Sequence, residues 1–108
     1  MSINEFAERC MEMRKQSGFK TTKENMEGKL LRVISEISEA SELIRDDNWT
    51  SWYEEDGKPE GFIFELADAM IRIGDIAASL GYDLEVAIAE KLLYNSKRPY
   101  LHGRQSTV

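Results

Sequence analysis

The chain has one cysteine and one histidine among its 108 residues, and each scarcity removes a class of chemistry. Cys10 alone cannot form an intrachain disulfide, which excludes a disulfide-stapled scaffold and fits a reducing cytoplasm. A structural zinc site needs four Cys or His ligands, and no such set exists. Carboxylate di-iron bundles take a Glu-x-x-His from each of two helices, and His102 near the C-terminus is the only histidine available. No run of about 18 apolar residues occurs, so no membrane-spanning helix is expected. The first residues, Met1 to Met13, are acidic and lack the basic-then-apolar layout of a secretory leader. Positive charge is also in short supply. The net charge of −6 argues against unassisted binding to nucleic-acid polymers or anionic membranes. A phosphate-bearing ligand would need metal ions to bridge it to so acidic a protein.

What is present describes a soluble globular chain of one domain, with 42% hydrophobic and 31% charged residues. Helical signals dominate. Ser2 and Glu5 stand at capping-box spacing before Ile3, Phe6, Ala7, Cys10 and Met13, which recur at helical intervals, and Gly18 marks a stop. Thr21 and Glu24 repeat the box before a long second helix to about Asp46, whose apolar arc holds Leu30, Val33, Ile34, Ile37, Ala40 and Ile44. From Asp47 to Gly61 loop formers are interleaved with Trp49, Trp52 and Tyr53, and a loop of this length is often functional. A third helix runs from Phe62 to Leu80 and ends at Gly81. Asp83 caps a fourth, carrying Leu84, Ala87, Ile88, Leu92 and Leu93, which Pro99 stops near Arg98. Residues from Leu101 onward read as a mobile tail. Cys10 and the methionines read as core filler. No β-period segment stands out, and the expectation is an all-α, four-helix-bundle-like fold.

The third helix carries the main functional signal. It is apolar around most of its circumference, which predicts burial. Glu65, Asp68, Arg72, Asp75 and Ser79 share an arc of about 80° at 100° per residue. Buried charges need a cavity, a partner or a metal. Glu36 and Glu39, on the second helix, supply a further acidic pair. Spacing alone proves little: twenty acids in 108 positions give about four i,i+3 pairs by chance, and the chain has five. Context distinguishes them. Glu5/Glu8 and Glu24/Glu27 read as solvated faces near helix starts, whereas Glu36, Glu39, Glu65 and Asp68 adjoin apolar positions and could cluster on two packed helices. Hard cations with oxygen ligands, Mg²⁺ first, suit such a set. Internal ion pairs, such as Asp68 with Arg72, or a polar seam between subunits fit the same residues.

Ser35-Glu36-Ile37-Ser38-Glu39-Ala40, followed by Glu65-Leu66-Ala67-Asp68, resembles the E-x-x-E…E-x-x-D signature of the all-α nucleoside triphosphate pyrophosphohydrolases, and of their MazG-like branch in particular. Lys58-Pro59-Glu60-Gly61, Lys91, Tyr94-Asn95, Arg98-Pro99-Tyr100 and His102-Gly103 extend the likeness over about Leu30 to Gly103. Ser35 departs from it, standing where many relatives carry another glutamate. The resemblance implies a MazG-type fold in which Glu36, Glu39, Glu65 and Asp68 bind Mg²⁺, with Mn²⁺ a substitute. It implies cleavage of a nucleoside triphosphate, dNTPs first, to the monophosphate and pyrophosphate, in the manner of a nucleotide-pool house-cleaning enzyme. Glu39, with Glu36 beside it, is the candidate to orient the attacking water. The candidate substrate contacts are Lys91 and Arg98 for phosphate, Asn95 for sugar or base, Tyr94 beside them, and Trp52 for stacking on a base. A third helix so widely apolar needs more cover than three small neighbours supply, so a homodimer or homotetramer is expected. Two other readings stay open: a non-enzymatic helical interaction module, and a carboxylate protein that binds divalent metal without turnover.

Overall fold

The computed structural model describes residues 1–98 and is mostly helical. The elements are α1 (Ile3–Gln16), a single 3-10 turn (Lys23–Asn25), α2 (Met26–Arg45), strands β1 (Ser51–Tyr53) and β2 (Pro59–Gly61), α3 (Phe62–Ser79) and α4 (Leu84–Lys97). Helix α3 is the centre of the molecule, with α1 and α2 packed against it. Among the described residues no helix is long and apolar enough to cross a membrane. Pro99, Tyr100, His102, Gly103 and the tail expected from Leu101 lie outside the described residues.

Local chemistry accounts for most of the boundaries. Ser2 Oγ accepts from the Glu5 amide at 3.1 Å and opens α1, and Asp83 Oδ1 accepts from the Val86 amide at 3.0 Å and opens α4. Gly81, at φ 78°, turns the chain between α3 and α4. The start of α2 differs from expectation. Asn25 Oδ1, rather than a glutamate, reaches back to the Thr22 amide at 2.9 Å. The neighbouring Thr21 hydroxyl is taken by Asp75, to which it donates at 2.7 Å. The box therefore sits one residue later, and a 3-10 turn precedes α2.

The segment expected as a loop from Asp47 to Gly61 contains a β-hairpin, a correction to the reading that no strand occurs. The strands pair antiparallel, with Ser51 opposite Gly61, Trp52 opposite Glu60 and Tyr53 opposite Pro59. Gly57, at φ 88°, supplies the left-handed residue of the turn. Asp56 Oδ1 accepts from the Lys58 amide at 3.0 Å and fixes it. Three-residue strands are too short for alternation to show in the sequence. The hairpin is held to α3 by aromatic edges: Trp49 meets Phe62 with ring centroids 5.5 Å apart, and Tyr53 meets Phe64 at 6.1 Å. Gly61 is required here. A Cβ on it would fall 2.6 Å from the Thr50 carbonyl oxygen, and its φ of 133° is one that L side chains rarely adopt.

The interior is built of small residues. The buried apolar side chains are Ala7, Cys10, Ala40, Ala69 and Ala77, and among the described residues no large side chain is fully buried. Helices α1 and α3 approach so closely at Gly74 that a Cβ there would lie 3.1 Å from Cys10 Sγ. Burial pushes the Cys10 thiol pKa up, as expected of a packing residue. The methionines do not all follow: Met13 and Met70 are exposed. Nor is α3 buried all round. Its inward residues include Glu65 and Asp75, whereas Ile63, Met70 and Ile73 face out. The polar stripe turns in and the apolar majority is left partly uncovered.

Helix α4 is the least embedded of the α-helices, with no buried residue. It is tied at its first turn by Asn4, whose Nδ2 donates to Asp83 Oδ1 at 2.8 Å and whose Oδ1 accepts from the Glu85 amide at 3.1 Å.

Candidate metal centre

Helices α2 and α3 run antiparallel, and the i,i+3 spacing of their acids brings carboxylates from both into one groove. Oxygens of Glu36, Glu65 and Asp68 all lie within 4.8 Å of one another. Glu65 comes from the first turn of α3 and is only 8% exposed. Its pKa is pushed up to about 8, first by burial, then by hydrogen bonding to Glu39 and Glu36 and by their charges. Glu39 itself is exposed, at the mouth of the groove. Burial, followed by the charge of Glu36, also raises the Asp68 pKa, and Arg72 works in the opposite direction. Glu65 Oε2 is buried and has no hydrogen-bond partner. A buried carboxylate oxygen without a donor is rare in folded proteins and calls for a cation or a proton.

The rest of the stripe is satisfied internally. Arg72 Nε donates to Glu36 Oε1 at 2.9 Å, a cross-helix ion pair. The i,i+4 partnership of Asp68 with Arg72 expected as one alternative is therefore replaced by a contact from α3 to α2. Asp75 is buried and accepts from Thr21 at 2.7 Å and from Ser79 at 2.8 Å, with Arg14 Nε 3.9 Å away. It fastens α1 and the Thr21 loop to α3 and takes no part in the carboxylate cluster. The hairpin adds two residues that the sequence offered only within the Lys58-Pro59-Glu60-Gly61 segment, without a role at the site. Lys58 pairs with Glu60 at 2.9 Å, and both act electrostatically on Asp68. Their place beside the site follows from strand pairing, which no local pattern announced.

The expected substrate contacts on α4 make no direct bond to the cluster. Lys91 and Arg98 flank the Tyr94 ring, at 5.9 Å and 5.6 Å from its centroid. Asn95 is exposed on the same turn of α4. Among the described residues none of the four makes a hydrogen bond or ion pair to Glu36, Glu39, Glu65 or Asp68. Trp52 lies on β1, partly exposed, with Nε1 donating to Glu54 Oε1 at 3.4 Å. The structure thus assembles the acids and places the basic and aromatic candidates on two separate elements, α4 and the hairpin.

The donor set suits a hard divalent cation. Among the described residues all candidate ligands are carboxylate oxygens, one of them a buried oxygen lacking any donor, and no imidazole or thiolate joins the cluster. Comparison with protein-family models, with curated proteins and with solved structures returns no match.

Proposed function

We propose that this chain is a Mg²⁺-dependent nucleoside triphosphate pyrophosphohydrolase of MazG-like type, acting on dNTPs and assembling as a homo-oligomer. The observation that carries the reading is the orphaned Glu65 Oε2 within a three-carboxylate cluster on two helices. Glu36, Glu65 and Asp68 would hold the metal, with Glu39 beside them, and Mn²⁺ would serve in its place. A bound divalent cation supplies charge neutralisation for a triphosphate and lowers the pKa of water.

The protein's own groups divide the remaining work. Arg72 holds the Glu36 carboxylate in one orientation through its 2.9 Å pair, so the cluster is set before ligand arrives. Glu39, exposed at the mouth, is the carboxylate free to accept a proton from an attacking water. That attack would break a phosphoanhydride bond and release pyrophosphate and the monophosphate. Glu65 would carry the proton of the empty groove and would hold a bound cation as the carboxylate. Lys91 and Arg98 would meet phosphate oxygens and Asn95 the sugar or base, once α4 and the site are brought together by substrate or by a second subunit. Trp52 and Tyr94 offer faces for a base.

The test is pyrophosphate release from a panel of dNTPs and NTPs, with Mg²⁺ and with EDTA. Metal-dependent release with the monophosphate as co-product supports the reading, and the ranking of substrates defines the base preference. No release from any triphosphate by folded protein in Mg²⁺ or Mn²⁺ overturns it. In that event, calorimetric Mg²⁺ binding without turnover would identify a metal-binding carboxylate protein. Absence of both would favour an interaction module.

A further inference from the structure

Residues 14–23 contain Arg14, Lys15, Lys20 and Lys23 and no acid, and without those four charges the net charge would be −10 rather than −6. The chain here leaves α1, turns at Gly18 (φ 87°) and leads into the 3-10 turn. Basic residues at a helix end ordinarily answer its C-terminal carbonyls. In α1 those carbonyls are taken by backbone donors instead. Met13 O accepts from the Ser17 amide, Lys15 O from that of Gly18 and Arg14 O from that of Phe19, at 3.0–3.2 Å. Nor do the lysines find carboxylates: among the described residues Lys15, Lys20 and Lys23 make no ion pair.

Lys15 and Lys20 line a pocket of about 260 Å³ together with Met11, Thr21, Thr22 and Ser79. Sites for drug-sized ligands run from about 300 to 1,000 Å³, so this one suits a small ion. Its wall is fixed before any ligand arrives. Asn25 braces the loop on both sides of Thr21: Nδ2 donates to the Lys20 carbonyl at 2.8 Å, and Oδ1 accepts from the Thr22 amide at 2.9 Å. The Thr21 and Ser79 hydroxyls donate to Asp75 at 2.7 Å and 2.8 Å, which ties the loop to α3. The Asp75 charge behind them is offset by Arg14, whose buried Nε lies 3.9 Å away and makes no hydrogen bond. The Lys15 and Lys20 ammonium groups and the Thr22 hydroxyl remain as donors without a protein acceptor among the described residues. Two ammonium groups and a hydroxyl around a small recess recognise an oxyanion by charge-assisted hydrogen bonds.

We propose that this pocket is an anion site that takes inorganic phosphate or pyrophosphate through Lys15, Lys20 and Thr22, without a metal ion. It is separate from the carboxylate groove. Ser79 stands eleven residues beyond Asp68 on α3, about 16 Å along the axis at 1.5 Å per residue. The chemistry of the two places is opposite, since the groove meets phosphate only through a cation and the pocket meets it directly. The inference therefore goes beyond the proposed function and holds whether or not triphosphates are cleaved.

The test is an amide chemical-shift titration of the full chain with sodium pyrophosphate and, separately, with sodium phosphate, in EDTA at low ionic strength. Saturable shifts should centre on Lys15, Lys20, Thr21, Thr22 and Ser79, and the affinity should fall as salt is added. The ion bound more tightly is the preferred ligand. Lys15→Ala and Lys20→Ala should each weaken binding by about 10-fold, the size of one charged hydrogen bond. Lys97→Ala removes the same charge from α4 and should leave the affinity within about 2-fold. Both pocket lysines are exposed, so their truncation leaves the fold intact. Absence of saturable shifts with either ion overturns the proposal. So does equal weakening by all three variants, which marks diffuse attraction, or a response that requires Mg²⁺ and centres on Glu36, Glu65 and Asp68.

Discussion

Replacing Glu65 with glutamine converts a buried and strongly disfavoured charge into a neutral group of the same shape, and the consequence can be worked out with its sign. In the metal-free protein the Glu65 carboxyl titrates near 8, against an ordinary value of 4.5. A pKa raised on folding contributes stability that is fully present below the unfolded value and lost as pH rises through the folded one. At 1.36 kcal/mol per pH unit the whole contribution is at most about 5 kcal/mol, of which about 1.4 kcal/mol remains at pH 7. Wild-type protein in EDTA should therefore weaken steadily between pH 5 and pH 9. Glu65→Gln should lose most of that slope and be at least about 2 kcal/mol more stable than wild type at pH 9. The assay is urea unfolding at pH 5, 7 and 9, at one fixed protein concentration because assembly contributes to apparent stability. Mg²⁺ at 100 times its Kd should raise wild-type stability by about 2.7 kcal/mol and leave the variant almost unmoved. At pH 7, calorimetry in buffers of different ionisation enthalpy should show a proton released as the ion binds. If wild type and variant share one pH slope in EDTA, Glu65 is not the strained group and the reasoning fails.

Glu39→Gln should lower kcat for pyrophosphate release by about 10²- to 10⁴-fold, the usual contribution of a general base, while the metal-free Tm does not fall, because a charge that bears on Glu65 is removed. Arg72→Ala leaves Glu36 unpaired among acids and should destabilise the metal-free protein by about 1–3 kcal/mol, with saturating Mg²⁺ restoring part of the loss in a thermal scan. Asp75→Ala strands the Thr21 and Ser79 hydroxyls and Arg14 and should cost about 2–3 kcal/mol in urea unfolding without altering the Kd for Mg²⁺. Gly61→Ala, forced against the Thr50 carbonyl at an unfavourable φ, should cost at least about 2 kcal/mol and broaden the Trp49 and Trp52 signals in NMR spectra.

Helix ends were readable because their signals are local. Ser2, Asp83 and Gly81 each act on atoms within a few residues, so the residue type determines the outcome wherever the chain goes. The start of α2 shows the limit of that logic. Thr21 and Thr22 carry the same cap signal, and the choice between them is made by Asp75, 54 residues away from Thr21. The carboxylate groove was legible as a set of acids on two helices, because i,i+3 spacing puts each pair on one face. Arg72 choosing Glu36 over its own-helix neighbour Asp68 was not, since it depends on how α2 meets α3. The hairpin escaped for a related reason: Trp52 and Tyr53 are good strand formers, but three paired residues leave no period to detect. The inward turn of the α3 polar stripe ran against hydrophobicity alone. Once Ala40, Ala69 and Glu36 define the contact with α2, the bulky Ile63 and Met70 have nowhere to go but outward.

The Asn4 clasp has a consequence for the order in which the molecule opens and closes. It joins residues 79 and 81 positions apart in sequence, so it can form only after α1 has already docked on α3. Helix α4, with no buried residue and its main polar anchorage confined to one turn, is the segment that folds last and opens first. Its amides should exchange with deuterated solvent at a free energy well below that of global unfolding, while those of α3 exchange only when the whole structure opens. The helix that carries Lys91, Asn95 and Arg98 is thus latched to α1 through one asparagine, so Asn4→Ala should speed the exchange of α4 amides far more than those of α3.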